Sequence, residues 1–181
     1  MKTDEELKNE LFNVWTDVQY ALPIMYNHIV RRRFRTVLEL GVRNAVSTRA
    51  ILLALKKTNG HLWSVDIRAC NRGISAVKEW RLDNIWTFIQ GNDLDLKWNK
   101  VVDMLFIDTL HTFEHTMLEL EKFAPFVQHT IFMHDTLDGK SITDCGKAAM
   151  TYVTEHPTWK FEELGGQYGL GMLTRRLMVS K

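Results

Sequence analysis

The strongest constraint on the fold of this chain is a repeated alternation of short, nearly unbroken apolar runs with stretches of helical periodicity. TVLEL (36–40) precedes a helix expected from Ser47, and HLWSVD (61–66) precedes one running through Trp80. IWTFIQ (85–90) follows; VVDMLFID (101–108) then leads to a helix through Phe123, and TIFMHD (130–135) to a helix from Asp144 to Glu155 that stops before Pro157. A strand with one wet face alternates apolar and polar residues. A strand in a parallel sheet is covered on both faces by its crossover helices, so it reads as a continuous apolar run. The last two runs, WKFEEL (159–164) and LGMLTRR (170–176), flank the turn-prone GGQYG and predict an antiparallel hairpin. The expected architecture is α/β: a three-layer α/β/α sandwich whose mostly parallel seven-stranded sheet ends in an antiparallel hairpin.

Upstream of these runs, Leu7, Leu11, Val14 and Val18 recur at helical spacing behind Thr3, Asp4 and Glu5. A second helix, with Pro23 in its first turn, carries Ile24, Met25, Ile29 and Val30 toward Arg31, Arg32, Arg33 and Arg35. Those arginines are read as a helix C-terminal turn whose cations suit the macrodipole, in preference to a phosphate site. The chain is thus expected to form one domain over 1–181, with N-terminal helices in 1–35 and a core in 36–181. With 45% hydrophobic residues and a formal net charge of +1, neither disorder nor a nucleic-acid or membrane-surface partner is expected. Cys70 and Cys145 form no CxxC pair, and the N-terminus has no apolar signal core, so a reducing, cytoplasmic setting is expected.

Ligands of such sheets bind outside the carboxyl ends of the strands. The first core strand ends in Glu39, Leu40, Gly41, Val42 and Arg43, and Ser47 is placed to cap the next helix. Gly41 lets the chain turn sharply and admits a ligand to the backbone, where free N–H groups would hold an anion. A nicotinamide-binding loop would carry GxGxxG; this one has a single glycine, which leaves a nicotinamide-dependent oxidoreductase as the weaker alternative. The next strand ends in Asp66, suited to a ribose diol. The third ends in Gln90, Gly91, Asn92 and Asp93, where an amide or carboxylate suits an adenine amino group. Any one of these is more often a cap; three successive strand ends with adenosine-binding groups are not easily explained as caps.

ELGVRNAVSTRAILLAL, SVD and FIQGND together resemble the motifs of class I S-adenosylmethionine-dependent methyltransferases, over roughly Thr36 to Arg176. The resemblance implies a Rossmann-like methyltransferase sandwich that binds S-adenosylmethionine. The Gly41 loop, with Glu39, Arg43 and Ser47, would face the methionine part, Asp66 the ribose, and Asn92 or Asp93 the adenine, with Asp108 beside them. Ala45 stands where the motif has a second glycine, and its methyl is expected to tighten the cofactor space without abolishing binding. An S-adenosylmethionine-binding module without turnover is the remaining alternative.

The fourth and fifth strands deliver Asp108, His111, His134 and Asp135, which converge on one rim if the strands are neighbours. FIDTLHTFEH with MHDT is similar to FIDxxH and HDT of the cephalosporin-hydroxylase-like and macrolide-sugar O-methyltransferase group. That similarity implies O-methylation of a small-molecule hydroxyl, with a sugar or glycoside favoured. It also implies His111 as general base and, in metal-dependent members, Asp108 and Asp135 as Mg2+ ligands. His134 departs from the pattern, standing where those enzymes have the first acid of a pair. Imidazole is a poor magnesium ligand, so the site would hold another divalent ion, or none, with His134 orienting the acceptor or simply capping its strand. His111 and His115 are four apart, as in zinc sites, but without HExxH the expectation for His115 is an exposed side chain. The N-terminal helices, or a second subunit of a homo-oligomer, would have to cover the site.

Overall fold

The computed structural model describes residues 2–176; the end of the expected core, 177–181, lies outside the described residues. In chain order come α1 (Asp4–Phe12), α2 (Ala21–Arg32), β1 (Thr36–Leu40), α3 (Val46–Thr58), β2 (His61–Asp66), α4 (Asn71–Glu79), β3 (Trp86–Gln90) and β4 (Val102–Ile107). They are followed by α5 (Phe113–Phe123), β5 (Val127–His134), β6 (Leu137–Asp138), β7 (Ser141–Ile142), α6 (Asp144–Glu155), β8 (Trp159–Glu163) and β9 (Leu170–Arg175). Seven strands form one sheet in the order β3-β2-β1-β4-β5-β9-β8. β1 to β5 are mutually parallel, while β9 runs antiparallel between β5 and β8. The chain walks outward from β1 to β3, then returns across β1 to β4. The loops after β1 and β4 therefore diverge from neighbouring strand ends, and a crevice opens between them.

The unbroken apolar runs are explained by the two layers. Val37, Leu62, Met104, Phe106 and Phe132 point to one face, packed by Leu22, Met25 and Ile29 of α2 and by Ile51 and Leu55 of α3. Leu38, Leu40, Leu105, Ile107, Ile131 and Met133 point to the other, under Leu120 and Phe123 of α5 and Ala149 and Tyr152 of α6. The N-terminal helices are thus part of the sandwich itself.

Three local expectations are corrected. α1 opens with a Thr3–Glu6 capping box but ends at Phe12, short of the apolar spacing that runs on to Val18. There Asn13 bonds back to the Asn9 carbonyl, and Thr16 and Asp17 side chains accept from the Val18 N–H, which offers the backbone an alternative to helix. α3 is not capped by Ser47; it starts at Val46 behind Ala45, which sits at φ +57. The β6–β7 ribbon around Gly139 was not anticipated from the sequence. The arginine cluster does close a helix: Arg31 and Arg32 lie in the last turn of α2, and Arg33 adopts the left-handed cap conformation.

Candidate active site

Below the first crevice loop lies a buried acid. Glu39 is 0% exposed and accepts hydrogen bonds from Ser47 Oγ (2.7 Å), Thr48 Oγ1 (2.8 Å) and Ser64 Oγ (2.6 Å). Glu39 and Ser47, expected to face a cofactor, therefore point their side chains at each other and tie α3 to β1 and β2. Burial pushes the Glu39 carboxyl up to about 7, against the three hydroxyl donors. Gly41 turns the chain sharply, as expected, for a reason not visible locally. Its φ is +91, and a Cβ there would stand 1.9 Å from the carbonyl oxygen of Asp108, just past the end of the neighbouring strand. Ala45 differs from expectation. Its methyl is fully buried, close to where Gly73 of α4 would carry a Cβ (3.0 Å), so it packs into the core and does not narrow the crevice.

Asp66 pins the same loop: its Oδ2 accepts from the N–H groups of Val42 (2.8 Å) and Arg43 (3.0 Å), and its Oδ1 from Arg68 (2.8 Å). Burial opposes its charge, but these donors outweigh it and hold the carboxyl below the usual range. Asp66, Ile67, Gly91, Asn92, Leu110 and His111 line a cavity of about 550 Å³ that begins at Gly41. Asn92 caps a short turn, accepting from Leu94 N–H and donating to Asp95. A smaller continuation runs past Ser47 and Asp108 to Thr16 and Asp17. It is covered by the N-terminal segment, where Asp17 holds Arg43 Nη1 at 2.9 Å and Tyr20 donates to the Leu164 carbonyl at 2.8 Å.

Asp108, His111, His134 and Asp135 do meet at the rim. His111 Nε2 lies 3.3 Å from Asp108 Oδ1 and 3.1 Å from Asp135 Oδ2, while His134 Nδ1 lies 3.4 Å and 3.0 Å from the same two oxygens. Burial disfavours charge on Asp108, but the hydrogen bonds from His111 and His134 outweigh it, and the carboxyl is held far below its ordinary range. His134 shows the converse. Burial would lower it, yet Asp108 and Asp135 push it up to about 10, so it is an imidazolium at neutral pH. The hydrogen bond to Asp108 also raises His111, against burial and with help from Asp135. Asp135 sits at φ +54, a strained conformation of the kind that clusters at functional sites.

A second polar cluster was missed. His115 is not exposed, and it shares no helix face with His111, because His111 precedes α5. Its side chain is 19% exposed, and Nε2 stands 3.5 Å from Asp93 Oδ2 and 3.5 Å from Glu119 Oε1. Asp93 lines the same cavity as Asn92, with its Oδ2 turned toward His115. Thr109 Oγ1 donates to Glu119 at 2.6 Å. The usable signal was the spacing of His115 and Glu119, one turn apart on a helix.

The model of a methyltransferase domain family matches residues 38–136, which contain the crevice loop, Asp66, Asp108 and both histidines of the rim. The chain belongs to that methyltransferase family. With the single-glycine loop, this assignment removes the oxidoreductase alternative. No curated protein matches it in sequence. Among solved structures it is similar to a Staphylococcus aureus protein provisionally named a caffeoyl-CoA O-methyltransferase, with a TM-score of 0.77 and 16% identity over 97% of this chain and 93% of that one. It is also similar to a Bacillus cereus O-methyltransferase in complex with SAH (TM-score 0.74, 13% identity, 97% and 92% covered). A third is TomG of Streptomyces achromogenes, an O-methyltransferase of tomaymycin synthesis in complex with SAM (0.65, 12%, 97% and 90%). The methyltransferase's sheet order and terminal hairpin are those of the class I fold. No helix of the described residues is long and apolar enough to cross a membrane.

Proposed function

We propose that this methyltransferase moves the methyl group of S-adenosylmethionine to a hydroxyl oxygen of a small molecule, with His111 as general base. The observation that carries the reading is His111 Nε2 held between Asp108 and Asp135 at the mouth of the cavity that begins at Gly41. Held there, Nε2 keeps the proton and leaves Nδ1 to accept one. The first-turn N–H groups of α3 suit the cofactor's carboxylate, Asp66 the ribose, and Gly91 and Asn92 the adenine edge. As the acceptor oxygen bonds the methyl carbon, the carbon–sulfur bond breaks and its electron pair neutralises the sulfonium. The hydroxyl proton passes to His111. A sugar or glycoside hydroxyl is the acceptor class that the DxxH and HDT segments favour.

A divalent ion at Asp108 and Asp135 fits poorly. Asp108, His111 and Asp135 each offer a ligand atom within 4.8 Å of the others. However, both carboxylates already face the buried imidazolium of His134, which supplies the positive charge an ion would bring. No step is therefore assigned to a metal.

Calorimetry with S-adenosylmethionine and S-adenosylhomocysteine, with and without Mg2+, tests the cofactor claim; no heat at millimolar ligand would overturn it. With a panel of sugar and glycoside acceptors, release of S-adenosylhomocysteine should rise with pH as His111 loses its proton. His111→Ala should lower turnover by at least about 100-fold while changing cofactor affinity little. Equal loss of both would make His111 a cofactor ligand.

A further inference from the structure

Asp93, His115 and Glu119 play no part in the proposed methyl transfer, yet they bring two carboxylates and an imidazole together behind one wall of the cavity. Their ligand atoms lie within 4.8 Å of one another. Asp93 Oδ2 and Glu119 Oε2 are buried without a hydrogen-bond partner, on side chains 10% and 0% exposed. An unpartnered buried carboxylate oxygen is costly; Asp93 Oδ2 faces the imidazole directly, and Glu119 faces it with Oε1 while its Oε2 stays unpartnered, so the cluster calls for a cation or a proton among these groups. The rim cluster differs, because its carboxylates are engaged by His111 and His134.

We infer that Asp93, His115 and Glu119 form a binding site for a first-row divalent metal ion, with Zn2+ as the best fit. Three features select this ion. A mixed imidazole and carboxylate set suits zinc and its neighbours, whereas magnesium and calcium prefer all-oxygen shells. In a tetrahedral site with bonds of 2.0–2.1 Å, adjacent ligand atoms are about 3.3 Å apart, and an octahedral magnesium site would need about 2.9 Å. The Nε2 of His115 stands 3.5 Å from each acid, which matches the tetrahedral edge. Finally, the set is held from behind as metal ligands are. Thr109 Oγ1 donates to Glu119 at 2.6 Å, and Lys122 Nζ donates to the Asp93 carbonyl at 2.9 Å, fixing the turn that carries Asp93 onto α5. Three protein ligands leave a fourth position, and His115 lines the cavity from which it can be filled. The site does not depend on the chemistry assigned to His111.

The test is metal retention by the full-length protein. After incubation with ZnCl2 and desalting, wild type and Asp135→Asn should each retain about one zinc per chain by elemental analysis. His115→Ala, at the cavity wall, and Glu119→Gln should bind at least about 100-fold more weakly. With CoCl2, wild type should give the intense visible absorption of tetrahedral cobalt, and His115→Ala should not. Circular dichroism of His115→Ala establishes that it is folded. Equal retention by wild type and folded His115→Ala, or none by either, would overturn the site in favour of a proton shared by Asp93 and Glu119. Loss in Asp135→Asn alone would also overturn it, by placing the metal at the rim.

Discussion

Replacing Glu39 with glutamine probes how the crevice loop is held, and its effect can be worked out in advance. The carboxyl is fully buried, and burial lifts it from the ordinary 4.5 to about 7, against hydrogen bonds from Ser64, Ser47 and Thr48. An acid whose folded-state pKa lies above its unfolded value binds extra protons when folded. Its contribution to stability is therefore complete below the unfolded value and is lost as pH rises through the folded one, here across 4.5 to about 7. At about 1.4 kcal/mol per pKa unit, wild type should lose roughly 2–3 kcal/mol from this group between about pH 5 and about pH 8. Glutamine keeps the shape and one acceptor but cannot titrate, so the variant should lack that loss. Urea unfolding of both proteins at the two pH values gives the difference in stability, in which titration of other groups largely cancels. The difference should shift by roughly 2–3 kcal/mol in favour of Glu39→Gln as pH rises. A difference constant to within about 0.5 kcal/mol would show that Glu39 titrates normally, and the account of its burial would be wrong.

Other substitutions test the same structure. Gly41→Ala places a Cβ 1.9 Å from the Asp108 carbonyl at φ +91, so affinity for S-adenosylhomocysteine should fall at least about tenfold and stability by about 3 kcal/mol. Calorimetry and a thermal melt both at wild-type values would refute the contact. Ala45→Gly relieves a left-handed alanine but removes a fully buried methyl. These effects, each about 1 kcal/mol, should nearly cancel in a melt and leave cofactor affinity within about threefold, whereas a tighter-binding glycine variant would mean the methyl does crowd the cofactor. His134→Asp exchanges the imidazolium between Asp108 and Asp135 for a third carboxylate. Turnover of this variant should become dependent on Mg2+, unlike that of the wild type; dependence in both proteins would restore the metal to the rim site.

The sequence by itself determined what depends on neighbours a few residues apart. The strand and helix order followed from periodicity, the hairpin from GGQYG, and the strand-end positions of Asp66, Asp108 and Asp135 from where each apolar run stops. Tertiary structure decided what depends on distant neighbours. Ser47 was read as a cap because capping is local; it instead meets Glu39 because the first turn of α3 packs on β1. Ala45 was read as crowding a ligand, but the left-handed turn sends its methyl toward Gly73, in a helix that begins only after β2. The need for glycine at 41 is set by the Asp108 carbonyl just past the end of β4, sixty-seven residues away. His115 looked like a surface residue until α5 and the turn after β3 placed acids on either side of it. Chain pattern specifies which elements form and which faces they bury, because those are short-range properties. Which polar groups face one another across the crevice is set by strand order, and that order exists only once the sheet has assembled.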